Sequence, residues 1–107
     1  LLSSINENYL SSINGKKNLN PAEVSINTHP NPFNPVCHIN FYLNASTFLE
    51  IVVFDIAGRK ITLLNNKLFE AGSHVMEWDA REFSSGIYFI SFKSSNRILN
   101  KKIMLLK

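Results

Sequence analysis

The sequence predicts an all-β chain, an antiparallel β-sandwich of about seven short strands. Three observations predict it. Short runs of alternating apolar and polar residues, rich in β-branched and aromatic types, recur along most of the chain. Turn residues interrupt them about every 8 to 12 residues, the spacing of sandwich strands. Beyond the first twenty residues no stretch carries a helical period.

The totals set the scale. At 107 residues the chain holds at most one domain, and its 45% apolar content with eight Phe suffices for one core. A chain this size buries roughly two-thirds of its unfolded surface, enough to fold alone. It does not begin with Met, so it is expected to be a piece of a longer protein, and if that protein is secreted its signal lies upstream. No run approaches the roughly 18 apolar residues that cross a bilayer as a helix. Cys37 is the only cysteine, which excludes a disulfide scaffold and a Cys-rich metal site. Its place in an apparent strand predicts a small buried hydrophobe. The net charge of +3 is uneven: Lys93, Arg97, Lys101, Lys102 and Lys107 face no acidic residue in the last stretch. No nucleic-acid motif accompanies that charge, so it reads as a basic edge strand, where lysines discourage stray pairing.

Residues 1–21 read as a linker. Leu2-Ser3-Ser4-Ile5-Asn6 recurs as Leu10-Ser11-Ser12-Ile13-Asn14, but two short copies do not make a repeat architecture. Leu2, Ile5, Tyr9 and Ile13 would share a helix face, though Ser and Asn are poor helix formers. The domain is expected over residues 22–107. Glu23 to His29 alternates as a first strand. His29 to Pro35 holds three of the four prolines and must run as an extended polyproline-type strap or a series of turns, with Phe33 as its anchor. Val36 to Leu43 is a second strand, with Cys37, Ile39, Phe41 and Leu43 facing the core. Thr47 to Asp55 is dense in β-branched and aromatic residues, as a central strand should be. Asp55-Ile56-Ala57-Gly58-Arg59 is a tight turn, with Gly58 able to take positive φ. Arg59 to Leu64 is the fourth strand and Asn65-Asn66-Lys67 a loop. Ser73 to Asp79 is the fifth, anchored by Val75 and Trp78. Gly86 to Lys93 is the sixth. Arg97 to Leu106 is the last. Tyr88, just after Ser84-Ser85-Gly86, sits where a corner tyrosine would bond back to the preceding loop.

No catalytic constellation is visible, and no cofactor site. His29, His38 and His74 fit no metal spacing and read as strand-face residues. Asp55, Glu77 and Asp79 are isolated carboxylates, of which Asp55 and Asp79 suit backbone bonds in their turns. There is no nucleophile elbow or phosphate loop. Asn44-Ala45-Ser46 fits the glycosylation pattern, a three-residue match of low specificity. The clustered Asp and Asn oxygens of a calcium loop are absent.

Several motifs in order carry a resemblance. The Pro30-Asn31-Pro32-Phe33-Asn34-Pro35 start precedes an aromatic strand, then Val53-Phe54-Asp55-Ile56-Ala57-Gly58-Arg59. Ala71-Gly72-Ser73-His74, Trp78-Asp79 and Ser85-Gly86-Ile87-Tyr88-Phe89 follow, and Lys101-Lys102-Ile103-Met104-Leu105-Leu106-Lys107 closes the chain. Over about residues 24–107 this resembles the type A C-terminal sorting domain of the type IX (Por) secretion system. It is also similar to the immunoglobulin-like domain of the flagellar hook-capping protein. His29 stands where the family often has Tyr, and Cys37-His38 where small hydroxyl residues are common. The resemblance implies an immunoglobulin-like sandwich and a non-catalytic role. Such domains end secreted proteins of Bacteroidetes-type bacteria, fold in the periplasm of these Gram-negative cells and carry an upstream passenger through the outer-membrane translocon. In many cases a surface sortase then removes the domain. The implied partners are the translocon and its shuttle, the sortase and the passenger. The implied recognition residues are Pro30, Asn31, Pro32, Gly58, Gly86, Tyr88, Lys101, Lys102 and Lys107.

The residues themselves leave two other classes open. One is a structural module of hook-cap type that mediates assembly and stays attached. The other is an accessory carbohydrate-binding sandwich, which needs exposed aromatics in a row. Tyr42 is a candidate, and Trp78 would join it only by turning outward; a core role for Trp78 is expected.

Overall fold

The computed structural model describes residues 24–107. The expected linker, residues 1–21, lies outside the described residues, as do Ala22 and Glu23 of the expected domain and first strand. Among the described residues seven strands follow one another: β1 (Val24–His29), β2 (Val36–Leu43), β3 (Thr47–Asp55), β4 (Lys60–Phe69), β5 (Gly72–Asp79), β6 (Gly86–Lys93) and β7 (Ile98–Leu105). They form two antiparallel sheets, one in the order β1-β2-β5 and the other β4-β3-β6-β7. No helix occurs among the described residues.

The inner faces follow from strand alternation, since successive side chains point to opposite faces. Cys37, Ile39, Phe41 and Leu43 of β2 are buried, against Leu49, Ile51 and Val53 of β3 and Tyr88, Ile90 and Phe92 of β6. Each large apolar side chain buried this way contributes about 1.5–3 kcal/mol. β3 lies between β4 and β6, as its composition predicts, and even its outward Val52 is 5% exposed. Phe41 meets Phe92 of the opposite sheet edge to face, with centroids 5.4 Å apart. Phe69 and the ring of His74 close the same cluster. His74 thus turns inward, its Nε2–H donating to the Glu70 carbonyl at 2.7 Å.

Two expectations fail. Strand β4 runs on to Phe69 and includes Asn65, Asn66 and Lys67, which read as a loop. It is an edge strand, and its register against β3 shifts twice, leaving Leu64 and Ile61 without a direct partner. These bulges break the two-residue alternation, so the strand cannot be seen as a period. Both bulged side chains pack on the core. The second failure is Val75, which is 73% exposed. Val75 and Trp78 are an odd number of residues apart, so one strand cannot turn both inward. Trp78 takes the core side at 3% exposure, with Met76 beside it.

The β3–β4 turn is organised by Asp55. One carboxylate oxygen accepts the N–H groups of Ala57 and Arg59 at 3.0 and 2.9 Å, and the other accepts Arg59 Nε at 2.9 Å. Gly58 has φ +84°, which an L side chain rarely adopts, and donates its N–H to the Asp55 carbonyl. The Arg59 backbone N–H is the main reason the Asp55 carboxyl lies below its ordinary value, followed among the lowering causes by the Arg59 guanidinium. A folded-state value below the unfolded one stabilises the fold above the ordinary carboxylate range of about pH 4. That stabilisation is lost as pH falls through the lower folded value. Asp55→Asn is therefore expected to flatten the acid limb of a stability–pH curve, measured by urea denaturation from pH 7 downward. A curve identical to wild type would remove Asp55 from this role. Burial pushes the Cys37 thiol up to about 11. Cys37 is accordingly expected to resist a thiol reagent at pH 8 in the native protein and to react at once in denaturant.

Candidate functional site

Four segments distant in sequence meet at one end of the sandwich: the proline strap, the β3–β4 turn, the β5–β6 loop and the tail after β7. The registers bring them there, since Asp55 pairs with Tyr88, Tyr88 with Ile103 and Val36 with Asp79. The strap runs as bends, and its His29–Pro30, Asn31–Pro32 and Asn34–Pro35 bonds are cis. Phe33 is its anchor, 1% exposed, with its ring 5.7 Å from that of Trp78. Its N–H donates to the Met104 carbonyl at 2.9 Å, and its carbonyl accepts the Leu106 N–H at 3.0 Å. That pair is a short parallel bridge between the strap and β7. Asn31 adds a third bond, its Oδ1 accepting the Met104 N–H at 3.1 Å. The Pro35 carbonyl accepts the Ala80 N–H at 2.9 Å, joining the strap to the end of β5.

The β5–β6 loop closes over Trp78. Phe83 packs on the core, and Tyr88 stands edge-on to Trp78 at 5.3 Å. Tyr88 OH donates to the Ser84 carbonyl at 2.7 Å, the bond of a corner tyrosine back to its loop. Asp79 accepts the Arg81 N–H at 3.1 Å and pairs with the Arg81 guanidinium at 2.9 Å. The Arg81 side chain, ahead of its N–H, holds the Asp79 carboxyl below its usual range. The tail completes the assembly: Lys107 donates its backbone N–H to Ser85 Oγ at 3.0 Å and its Nζ–H to the Arg81 carbonyl at 2.7 Å.

The sequence-singled residues thus divide by position. Pro30, Asn31 and Pro32 are exposed on the strap, and Lys107 is exposed on the tail beside the β5–β6 loop. Gly58 shapes its turn, Gly86 opens β6 at φ +157°, and Tyr88 is buried at the same end. Lys101 and Lys102 lie further along β7, opposite Ile90 and Phe89, with Lys101 half-buried and Lys102 exposed. Sequence reasoning missed Ser85, Arg81 and Ala80. What they give the strap and the tail are the Ala80 N–H, the Arg81 carbonyl and the Ser85 hydroxyl, and such backbone groups leave no mark in residue type. Met104 and Leu106 are exposed here too, at 40% and 57%, beside the strap prolines.

The other surfaces are less organised. Three rows cross the outer face of the first sheet: Ser25, Tyr42 and Ser73; Asn27, Asn40 and Val75; His29, His38 and Glu77. The His29 and His38 rings stack at 5.3 Å, and Glu77 lies 3.2 Å from His38 Nδ1. Among the described residues no group of three or more such side chains is placed to hold a metal ion. Tyr42 is exposed there without Trp78, whose place in the core removes the aromatic row a carbohydrate-binding face needs.

The strap end is expected to respond to two substitutions in different ways. Phe33→Ala removes the plug beside Trp78 and should cost about 3–5 kcal/mol in urea denaturation. Tyr88→Phe keeps the ring and loses one bond, costing about 1 kcal/mol. Equal losses would mean that the ring contacts are not what holds this end.

The comparisons agree with this architecture. A search of curated proteins gives no match. The family model described as the secretion system C-terminal sorting domain matches residues 27–106, from within β1 to just past β7, so the strap, the loop and the tail as far as Leu106 fall inside it. The chain belongs to the family of type IX secretion C-terminal sorting domains.

Proposed function

We propose that this domain is a non-catalytic sorting signal, read as a folded surface, that directs an upstream passenger from the periplasm through the type IX outer-membrane translocon. A surface sortase then removes it. The observation that carries the reading is the family match over residues 27–106, which includes the strap end except for Lys107. The chemistry of that end supports it. Pro30, Pro32, Met104 and Leu106 offer exposed apolar surface, and Asn31 and Lys107 flank it with polar groups already held in place. A rigid patch of mixed apolar and charged character suits a protein partner, because little side-chain entropy remains to be lost. In this reading Pro30, Asn31, Pro32 and Lys107 touch the translocon or its shuttle. Gly58, Gly86 and Tyr88 hold the surface in shape.

The test is export of a reporter fused ahead of residues 22–107 in a type IX-competent bacterium. Removing Lys101 to Lys107 would not serve, because Ile103 and Leu105 are fully buried and their loss would unfold the domain. Substitutions on the surface separate reading from folding. Leu106→Ser with Lys107→Glu is expected to leave the reporter in the periplasm while the isolated domain stays within about 0.5 kcal/mol of wild-type stability. Export equal to wild type would sink the assignment of this surface. A wild-type fusion that stays inside would point instead to an assembly module.

A further inference from the structure

Among the described residues, the lane beside β7 is filled at one end and open at the other. β7 is an edge strand, paired with β6 on one side. On its other side the strap occupies the lane only around Phe33, through bonds to both backbone groups of Met104 and to Leu106. Those bonds show which way β7 points its backbone. Met104 N–H and C=O face the strap, away from β6. In an unbroken strand the backbone groups of alternate residues share a side, and the β6–β7 register has no shift from Ile98 to Leu105. Lys102, Asn100 and Ile98 therefore also direct their N–H and C=O groups into the lane. Among the described residues no strand pairs with them there.

We propose that the open stretch Ile98–Lys102 is a strand-addition site for an extended, carboxylate-bearing segment of a protein partner on the secretion route. This deepens the sorting reading and rests on it. The stretch is five residues long, about 17 Å of strand, enough for a short added strand held by main-chain bonds. The strap's own parallel bridge shows that this edge accepts a neighbour. Charge selects the occupant. From Lys93 onward the chain has five basic residues and no acidic one, and Lys101 and Lys102 stand on the open stretch. Those lysines repel a basic segment and a second copy of β7 alike, yet attract carboxylates. Ile98, 59% exposed, adds one apolar contact on the outer face.

The experiment uses the 107-residue chain and, as probe, a blocked synthetic heptapeptide of alternating valine and glutamate. Amide NMR with hydrogen exchange reads the binding. In the free protein the amides of Asn100 and Lys102 should exchange quickly, and those of Lys101 and Ile103 slowly. The peptide should shift and protect the Ile98, Asn100 and Lys102 amides, less so at high salt. Asn100→Pro removes an N–H that no strand pairs with among the described residues, so it should spare folding. It should weaken the peptide roughly tenfold or more. Lys102→Glu, a surface change, should weaken it several-fold.

Four results would overturn the proposal. One is equal binding of a valine–lysine peptide, and another is unchanged binding by a folded Asn100→Pro. The third is protection of the lane amides without peptide: a second copy fills the lane if it depends on protein concentration, another part of this chain if it does not. The fourth comes from the export assay. If wild type and Asn100→Pro are exported alike, the edge is not the contact and the sorting reading stands. If wild type itself is not exported, the sorting reading fails first.

Discussion

Between His29 and Pro35 the backbone has few donors to offer, since Pro30, Pro32 and Pro35 carry no N–H, and beside the Phe33 N–H, which donates to Met104, the fold uses the segment as a set of acceptors. Asn31 Oδ1, the Phe33 carbonyl and the Pro35 carbonyl take the N–H groups of Met104, Leu106 and Ala80. Two of those donors belong to β7 and its tail, and the third follows β5. The strap therefore ties the two sheets together at one end, and the Phe33 ring fills the space between them. Without it, Trp78 would face an open end, and the last residues of β7 would lose their outer partner.

Within the one core, the aromatic ring contacts fall into two groups. Phe33, Trp78, Phe83 and Tyr88 hold the strap end, while Phe41, Phe69, His74 and Phe92 hold the middle and the far side. The edges of the four-stranded sheet are managed differently. β4 is broken by two bulges and carries polar residues, so it presents no regular template for pairing. β7 keeps an unbroken register and relies on lysines and on the strap. This asymmetry leaves one regular, basic, partly covered edge on the molecule.

On the proposed reading, the sorting signal is a conformational feature rather than a linear one. Asn31, Ser85 and Lys107 are neighbours only because Phe33 is seated, the corner bond of Tyr88 shapes the loop, and β7 lies in register with β6. An unfolded passenger-bound chain would carry the same residues without the surface. Folding before recognition then becomes a physical requirement of the proposed reading, not an added step.

Much of the architecture was legible in the sequence, because strand alternation is a local signal. The inward face of β2, the central place of β3 and the carboxylate-centred Asp55 turn follow from residue type and spacing alone. So did the motif order that marks the family. What escaped was either irregular or non-local. Bulges hid the second half of β4, and the parity of Val75 against Trp78 was decided by which side Trp78 took. The strap's partners were beyond reach of the sequence for a different reason. A backbone carbonyl looks the same at every residue, so nothing in Phe33 or Pro35 names Leu106 or Ala80 as its donor. The sequence by itself determined the class of fold, the anchor in the strap and the basic last strand. Only tertiary structure decided that strap and last strand share one lane, because that pairing depends on how two sheets stack rather than on any local pattern.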